Sequence, residues 1–441
     1  MSKRTSLLIR RKRPMIWCCR WVVALAVLSA TAPAQDNVKV IRAARLLDVK
    51  TGRYLQNPTI VVEGERIKEI TFGGGTGNTA GTIDLGAMTL LPGLIDCHTH
   101  LLSDYDPDSG DDVKNGLLTL ARMSSAQRAL LGSKVAHEVL DAGITTVRDL
   151  GNSGRNVDVA LRDAIRAGWV PGPRMVVSTR IISPIGGIFR NLASVAKPLI
   201  DEEYAEISGA EEGRKAVMRA LYDGADVIKV MVDVPGMRSL SLNEVQVIVD
   251  EAHRSGRRVA VHAVSDAAAR IAIDAGADSI EHGYRIEEPT LKAMAAKGIF
   301  LILTEATVES DEVRKRAFGI TTAQLGSGAP RRTRRIESAM RAGVRIAFGS
   351  DSYYRMPTWS RGTTALTGLE AYRNAGMNPI EVIRTATTNA AELLGMEKDI
   401  GSIEAGKYAD IIGFEGDPLA DTGELRRVRF VMKGGQVVRK P

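Results

Sequence analysis

Through the middle of the chain one pattern recurs. A segment with apolar residues at helical spacing stops at a glycine, a short β-branched run follows, and a polar residue closes it. The copies are Ala142-Gly143 to Asp149, Asp223-Gly224 to Lys229, Ser255-Gly256 to His262, Ala275-Gly276 to His282, Lys297-Gly298 to Thr304, and Ala342-Gly343 to Asp351. Glycine just past a helix relieves the left-handed turn that ends it, and β-branched residues favour the strand after it. An apolar run ending at His98 and another at Met175-Val-Val-Ser178 bring the number of strands to eight. Eight strands alternating with helices predict a (β/α)8 TIM barrel, an α/β fold.

The flanks follow a different rhythm. Residues 38–70 alternate apolar and polar positions between turn signals such as Lys50-Thr-Gly52 and Glu63-Gly64-Glu65, as do the residues from Ile400 onward. Period-two alternation predicts short antiparallel strands. The expected organisation is a barrel over residues 89–398 and one small β-sandwich domain built from residues 35–88 and 399–441.

Charge changes the picture at the start of the chain. Lys3, Arg4, Arg10, Arg11, Lys12, Arg13 and Arg20 precede an apolar run from Trp21 to Ala30 and an Ala32-Pro33-Ala34 cleavage pattern. This is the layout of a secretory signal peptide over residues 1–34, with an apolar run too short to span a bilayer. The whole chain has a formal net charge of +7, so removing the leader leaves a nearly neutral protein. The basic balance therefore belongs to export, to the periplasm or outside. It argues against nucleic acid as a partner, and no membrane attachment is expected after processing. Of three cysteines only Cys97 survives cleavage, which excludes an intramolecular disulfide.

The chemistry gathers at strand ends. Catalytic groups of such barrels sit at the C-terminal ends of the strands, and here those ends present His98, His100, Lys229, His262, His282 and Asp351. Four of the chain's six histidines fall there. His98 and His100 are two apart on one strand and project from the same face, with Asp96 beside them and Cys97 and Thr99 turned away. Paired imidazoles suit a divalent metal such as zinc. The other groups have plainer readings. Glu281 orients a neighbour, His253 is a cation at a helix end, and His137 is a surface or core residue. Arg331-Arg-Thr-Arg-Arg335 is a solvated helix face.

These residues carry a resemblance. Pro92-Gly-Leu-Ile-Asp-Cys-His-Thr-His100, Gly143-Ile-Thr-Thr-Val-Arg-Asp149, Ile228-Lys229, Val261-His262, Ile280-Glu-His282-Gly283 and Gly349-Ser-Asp351 resemble the metal-dependent amidohydrolases over essentially the whole mature length. The chain is most similar to the branch of Xaa-Pro dipeptidases and ochratoxin-hydrolysing amidohydrolases. The resemblance implies two divalent ions, zinc in the simplest case. His98 and His100 would hold the first with Asp351, and His262 and His282 the second. Lys229, carboxylated to N6-carboxylysine, would bridge them. Asp351 would take a proton from the attacking water and pass it to the leaving nitrogen. A homo-oligomer is implied as well.

The expected activity is hydrolysis of the amide bond of a dipeptide or N-acyl amino acid, including ochratoxin-type amides. A cyclic-amide hydrolase or deaminase of the same superfamily is the nearest alternative. Its deaminases usually work with one metal and no bridging lysine, which Lys229 opposes. A non-catalytic binding barrel is the other, and such chains usually lose ligands. Substrate choice belongs to the mouth loops. Asp104-Tyr-Asp-Pro-Asp-Ser-Gly-Asp-Asp112 reads as an acidic lid rather than a calcium loop, since its glycine is one place late and no glutamate closes it. Ile188 stands where the family commonly has a histidine after a glycine pair. The residues after Lys229, Val232-Asp-Val-Pro-Gly236, depart from the usual glycine-rich turn. Arg190, Arg238, Tyr284 and Arg285 are the candidates to hold a substrate carboxylate, which arginine grips bidentately.

Overall fold

The computed structural model describes residues 38–73, 81–106, 112–234, 236–305, 328–354, 356 and 358–441. The expected leader lies outside the described residues, as does the middle of the acidic loop, 107–111. No described helix is long and apolar enough to cross a membrane.

Eight parallel strands form the barrel: Leu94–Thr99, Ile144–Asp149, Arg174–Val177, Ile228–Met231, Val259–Ser265, Ser279–Arg285, Phe300–Ile302 and Arg345–Ile346. Backbone bonds close the gaps between ladders. Asp226 and Val227 donate to the Val177 carbonyl, joining third strand to fourth. Cys97 donates to Phe348 O at 2.8 Å and Asp351 to His98 O at 2.8 Å, joining first strand to eighth. The first two strands and the fourth are buried along their whole length, as an all-parallel sheet covered by helices requires. In all six copies of the repeat the glycine has positive φ, between +67° and +100°.

Two strands were not expected. Thr179 adopts φ +61° and breaks the third strand after Val177. Ile181–Pro184 then restarts the direction, pairs with the fourth strand at Ile182–Val230, and carries an outer strand, Tyr204–Ile207.

The flanking segments pair with one another. A six-stranded sheet runs in the order Gln436–Arg439, Phe430–Lys433, Ile411–Phe414, Thr89–Pro92, Arg45–Asp48, Arg53–Gln56, so it mixes strands from both ends of the chain. A four-stranded sheet, Arg66–Phe72, Pro58–Glu63, Val38–Arg42 and Thr82–Asp84, faces it through a cluster containing Ile41, Ile60, Val62, Leu90, Phe430 and Met432. Each such side chain contributes roughly 1.5–3 kcal/mol by leaving water. Thr89–Pro92 leads straight into the first barrel strand, so the sheet built from both ends anchors the strand that carries His98.

Candidate active site

The first barrel strand delivers His98 and His100 with their rings already oriented. Nδ1 of His100 is 2.7 Å from the Gly151 carbonyl, which can only accept, so that nitrogen carries a proton and Nε2 faces inward. Nδ1 of His98 is 2.7 Å from Glu281 Oε2, with the same consequence. Burial opposes a charge on the His100 ring, but the Asp351 carboxylate beside its Nε2 outweighs that and raises this imidazole above its usual range. Asp351 Oδ1 completes the corner, 3.2 Å from His100 Nε2 and 3.7 Å from His98 Nε2. Ligand atoms from His98, His100 and Asp351 all lie within 4.8 Å of one another, a group able to bind a metal ion.

The next two histidines continue the arc. The rings of His98 and His282 are 5.0 Å apart between centroids, and those of His262 and His282 are 4.5 Å apart. Burial, reinforced by the charge of Lys229, pulls His98 and His262 down to about 4. Burial and the neighbouring rings of His262 and His98 hold His282 well below the usual imidazole range. All three rings are therefore neutral at neutral pH, the form that ligates metal. Lys229 is 3 % exposed, and its Nζ has no hydrogen-bond partner among the described residues. Burial lowers its ammonium to about 8.

The floor is stiffened from beneath. Arg148, the largest fully buried side chain, donates from Nη2 to Glu281 Oε1 at 2.8 Å and from Nε to Cys97 O at 2.6 Å. Ser279 Oγ also donates to Glu281, at 2.5 Å. Burial opposes the Glu281 charge, but Arg148 and His98 outweigh it and hold this carboxyl well below its usual range. Asp96 faces the same way as the histidines but serves the backbone. Its Oδ1 accepts from Ser350 N at 2.9 Å and His98 N at 3.1 Å, and burial raises the group to about 7. Gly349 permits the eighth strand to press this close, since a Cβ there would sit 2.7 Å from His98 Cβ. His282 and Asp351 themselves hold positive φ, +70° and +49°. Backbone in that region costs non-glycine residues of order 1–3 kcal/mol, and the tight packing around them sustains it.

A cavity of about 710 Å³ opens above this floor, lined by His98, His100, Lys229, His262, His282 and Asp351. Of the four residues expected to hold a carboxylate, Arg190 and Tyr284 line the cavity. Arg238 and Arg285 do not. The guanidinium of Arg238 is spent on Glu244 Oε2 at 2.7 Å, at the start of the helix Leu242–Arg254, and Arg285 is exposed one residue beyond Tyr284 on the alternating strand.

The solvated arginine face also needs correction. Arg335 donates to His282 O at 2.9 Å and Leu303 O at 2.7 Å and pairs with Glu305, so it clamps the backbone of His282. Helix phase was the available signal, because Arg335 shares a face with buried Ala339. Tyr353 was also missed. It lines the cavity, edge-on to His100 at 5.9 Å. His253 pairs with Asp278 at 2.8 Å at its helix end, and His137 is exposed on its helix. Asp104, at the start of the acidic loop, accepts from Arg361 at 2.9 Å.

Buried neutral imidazoles, a carboxylate and an unpartnered amine at the mouth of a closed barrel describe a metal-assisted hydrolase. Comparison with known proteins agrees: the model of the Amidohydrolase family matches residues 89–438. The chain belongs to this family, whose site works on C–N bonds of amides. Within it, the chain falls on the dipeptidase and ochratoxinase-like branch. It is 32% identical to ochratoxinase of Aspergillus niger over 385 residues, covering 80% of this chain and 76% of the relative. A crystal structure of a Xaa-Pro dipeptidase with bound methionine superposes with a TM-score of 0.80 at 29% identity, over 91% of this chain and 99% of that one. A prolidase complexed with N-methylphosphonate-L-proline gives 0.80 at 28% identity, over 92% of this chain and 100% of the other.

Proposed function

We propose that this chain is an exported, binuclear zinc amidohydrolase that cleaves the amide bond of a dipeptide or N-acyl amino acid bearing a free carboxylate. One observation carries the reading: the amine of Lys229 is buried without a partner beside three neutral imidazoles and Asp351. A lone buried ammonium is costly. Its lowered proton affinity leaves free amine to add to carbon dioxide, giving a carbamate and releasing a proton, which turns the lysine into an anionic oxygen donor. His98, His100 and Asp351 would then hold one ion and His262 and His282 a second, and carboxylated Lys229 would supply oxygen donors to the pair.

Bound metal in such a site lowers the pKa of water and polarises a carbonyl. The residues do the rest. Asp351 Oδ1, fixed between two histidine Nε2 atoms, accepts the proton of the attacking water and hands it to the leaving nitrogen. Glu281 and the Gly151 carbonyl keep the rings of His98 and His100 from turning. Arg190 and Tyr284, which line the cavity, would receive the substrate's carboxylate. The basic leader supports export, the resemblance supports a homo-oligomer, and we read the two flanking sheets as the single β-sandwich domain.

A screen of dipeptides against N-acyl amino acids tests the activity. Release of a free amino acid from one of these classes is expected. Ammonia release from purines or guanidines, with no amide cleaved, would replace the reading with a deaminase.

A further inference from the structure

A second cavity lies at the end of the barrel opposite the histidines. Its volume is about 330 Å³, and it shares no lining residue with the first. Its walls come from the starts of strands: Arg174 opens the third, Asp226 precedes the fourth, and Arg257 and Arg258 precede the fifth. Arg148 closes it from inside the barrel, where Nη1 donates at 3.0 Å to Oγ of Ser279, the first residue of the sixth strand. Leu394 and Met396, just past the helix Thr388–Leu393, form an apolar wall.

The cations around this cavity are unequally paired. Arg148 and Arg174 are committed, to Glu281 at 2.8 Å and to Asp410 at 2.6 Å. Arg166 has only ion contacts of 3.9 and 4.0 Å, and Arg258 one of 3.6 Å, all too long for hydrogen bonds. Arg257 is exposed and has no hydrogen bond or ion pair with any described residue. Asp226, the carboxylate in the lining, is engaged elsewhere: its Oδ2 accepts from Arg162 Nη1 at 2.7 Å and from Val177 N at 3.2 Å. A cation in the last turn of a helix complements the helix dipole, and that accounts for Arg166 at the end of Val157–Arg166. It does not account for Arg257, which stands three residues past the helix Leu242–Arg254. Gly395 brings the apolar wall against these cations, since a Cβ there would meet Nε and Nη2 of Arg258 at 3.3 Å.

We infer that this cavity is a second ligand site, for a small organic anion whose acid group lies among Arg166, Arg257 and Arg258 and whose apolar body lies against Leu394 and Met396. Small-molecule pockets span about 300–1,000 Å³, so the volume suits a small ligand. Guanidinium groups whose donors the protein leaves free grip an acid group in two-pronged fashion, and the apolar wall adds affinity that a bare inorganic ion cannot use. The site is independent of the amide-hydrolase reading, because no residue of the mouth cavity enters it.

Calorimetry on the intact protein tests this with octanoate, its neutral analogue octanamide, and acetate. One octanoate should bind per chain, with octanamide and acetate each about tenfold weaker or worse. Arg257→Gln should weaken octanoate by about five- to tenfold, and Arg257→Glu by more. Neither substitution breaks a contact with a described residue, so the thermal midpoint without ligand should match the parent's. Arg190→Gln, in the mouth cavity, should leave octanoate affinity unchanged. Octanoate bound equally well by the parent and both Arg257 variants overturns the inference, as does no binding at all. Octanamide binding as tightly as octanoate removes the arginines from the site, and acetate binding as tightly removes the apolar wall; either result overturns it.

Discussion

The floor and the wall of the cavity are built by different rules. Floor residues stand on strand ends and are mostly buried, and all but Lys229 among the buried ones are fixed by bonds to backbone or to other side chains, as His100 is to Gly151, His98 to Glu281 and Glu281 to Arg148. Wall residues stand on loops and at strand tips, with Arg190 and Tyr284 exposed and several apolar side chains among the lining. The floor has been given a fixed geometry, as chemistry demands. The wall has been given shape and, in Arg190, a cation that pairs with no described residue, as recognition demands. Substitutions in the floor should therefore strike turnover or metal retention, and those in the wall should move KM.

The largest effect is expected at Asp351. Asp351→Asn keeps the shape but cannot carry the proton, and kcat should fall by about 10²–10⁴ in steady-state assays on the best amide found. An unchanged kcat would take Asp351 out of proton transfer. Next comes the support beneath the histidines. Glu281→Gln weakens the acceptor for His98 Nδ1 and removes the charge that balances Arg148, so metal affinity should drop roughly 10–100-fold in chelator competition. Arg148→Met should act in the same direction. If either variant holds metal as well as the parent, the floor is not tuned from below.

The pH dependence of the metal-free protein sharpens the same point. His98 and His262 titrate near about 4 in the folded chain, against 6.5 for an open imidazole. The unfolded chain takes up protons below about 6.5 that the folded chain refuses until about 4. Stability from these groups is complete above that window and is lost as pH falls through it. The thermal midpoint of the metal-free protein should drop by several degrees across the window, and His262→Asn should flatten the fall. The smallest effect belongs to the wall: Tyr284→Phe removes a hydroxyl 3.2 Å from Thr304 Oγ1 and should change kcat/KM by only about 2–10-fold.

The floor was the part of the molecule that its sequence could describe. A glycine followed by a β-branched run marks six of the eight strands, and the next polar residue marks the C-terminal end, so strand phase brings Lys229, His262 and His282 to the same rim as His98, where all four line one cavity. The supports were harder to see. Arg148 is an ordinary charged residue in a motif until burial turns it toward Glu281, and Arg335 looks like its three arginine neighbours until the helix is docked. The wall was least legible. Its shape depends on the break at Thr179, the added strand Ile181–Pro184 and the interlock of Gly186 with Met237. None of these follows from periodicity, because each arises when two loops meet. That is why Arg190 and Arg238 could not be told apart from sequence, although one lines the cavity and the other pairs with Glu244.

Counting metal by mass spectrometry in the parent and in Lys229→Ala tests the central claim most directly. The account predicts two zinc ions per parent chain and, once Lys229 is truncated, loss of the second ion together with most turnover. Two ions and a full rate in the truncated protein would contradict it.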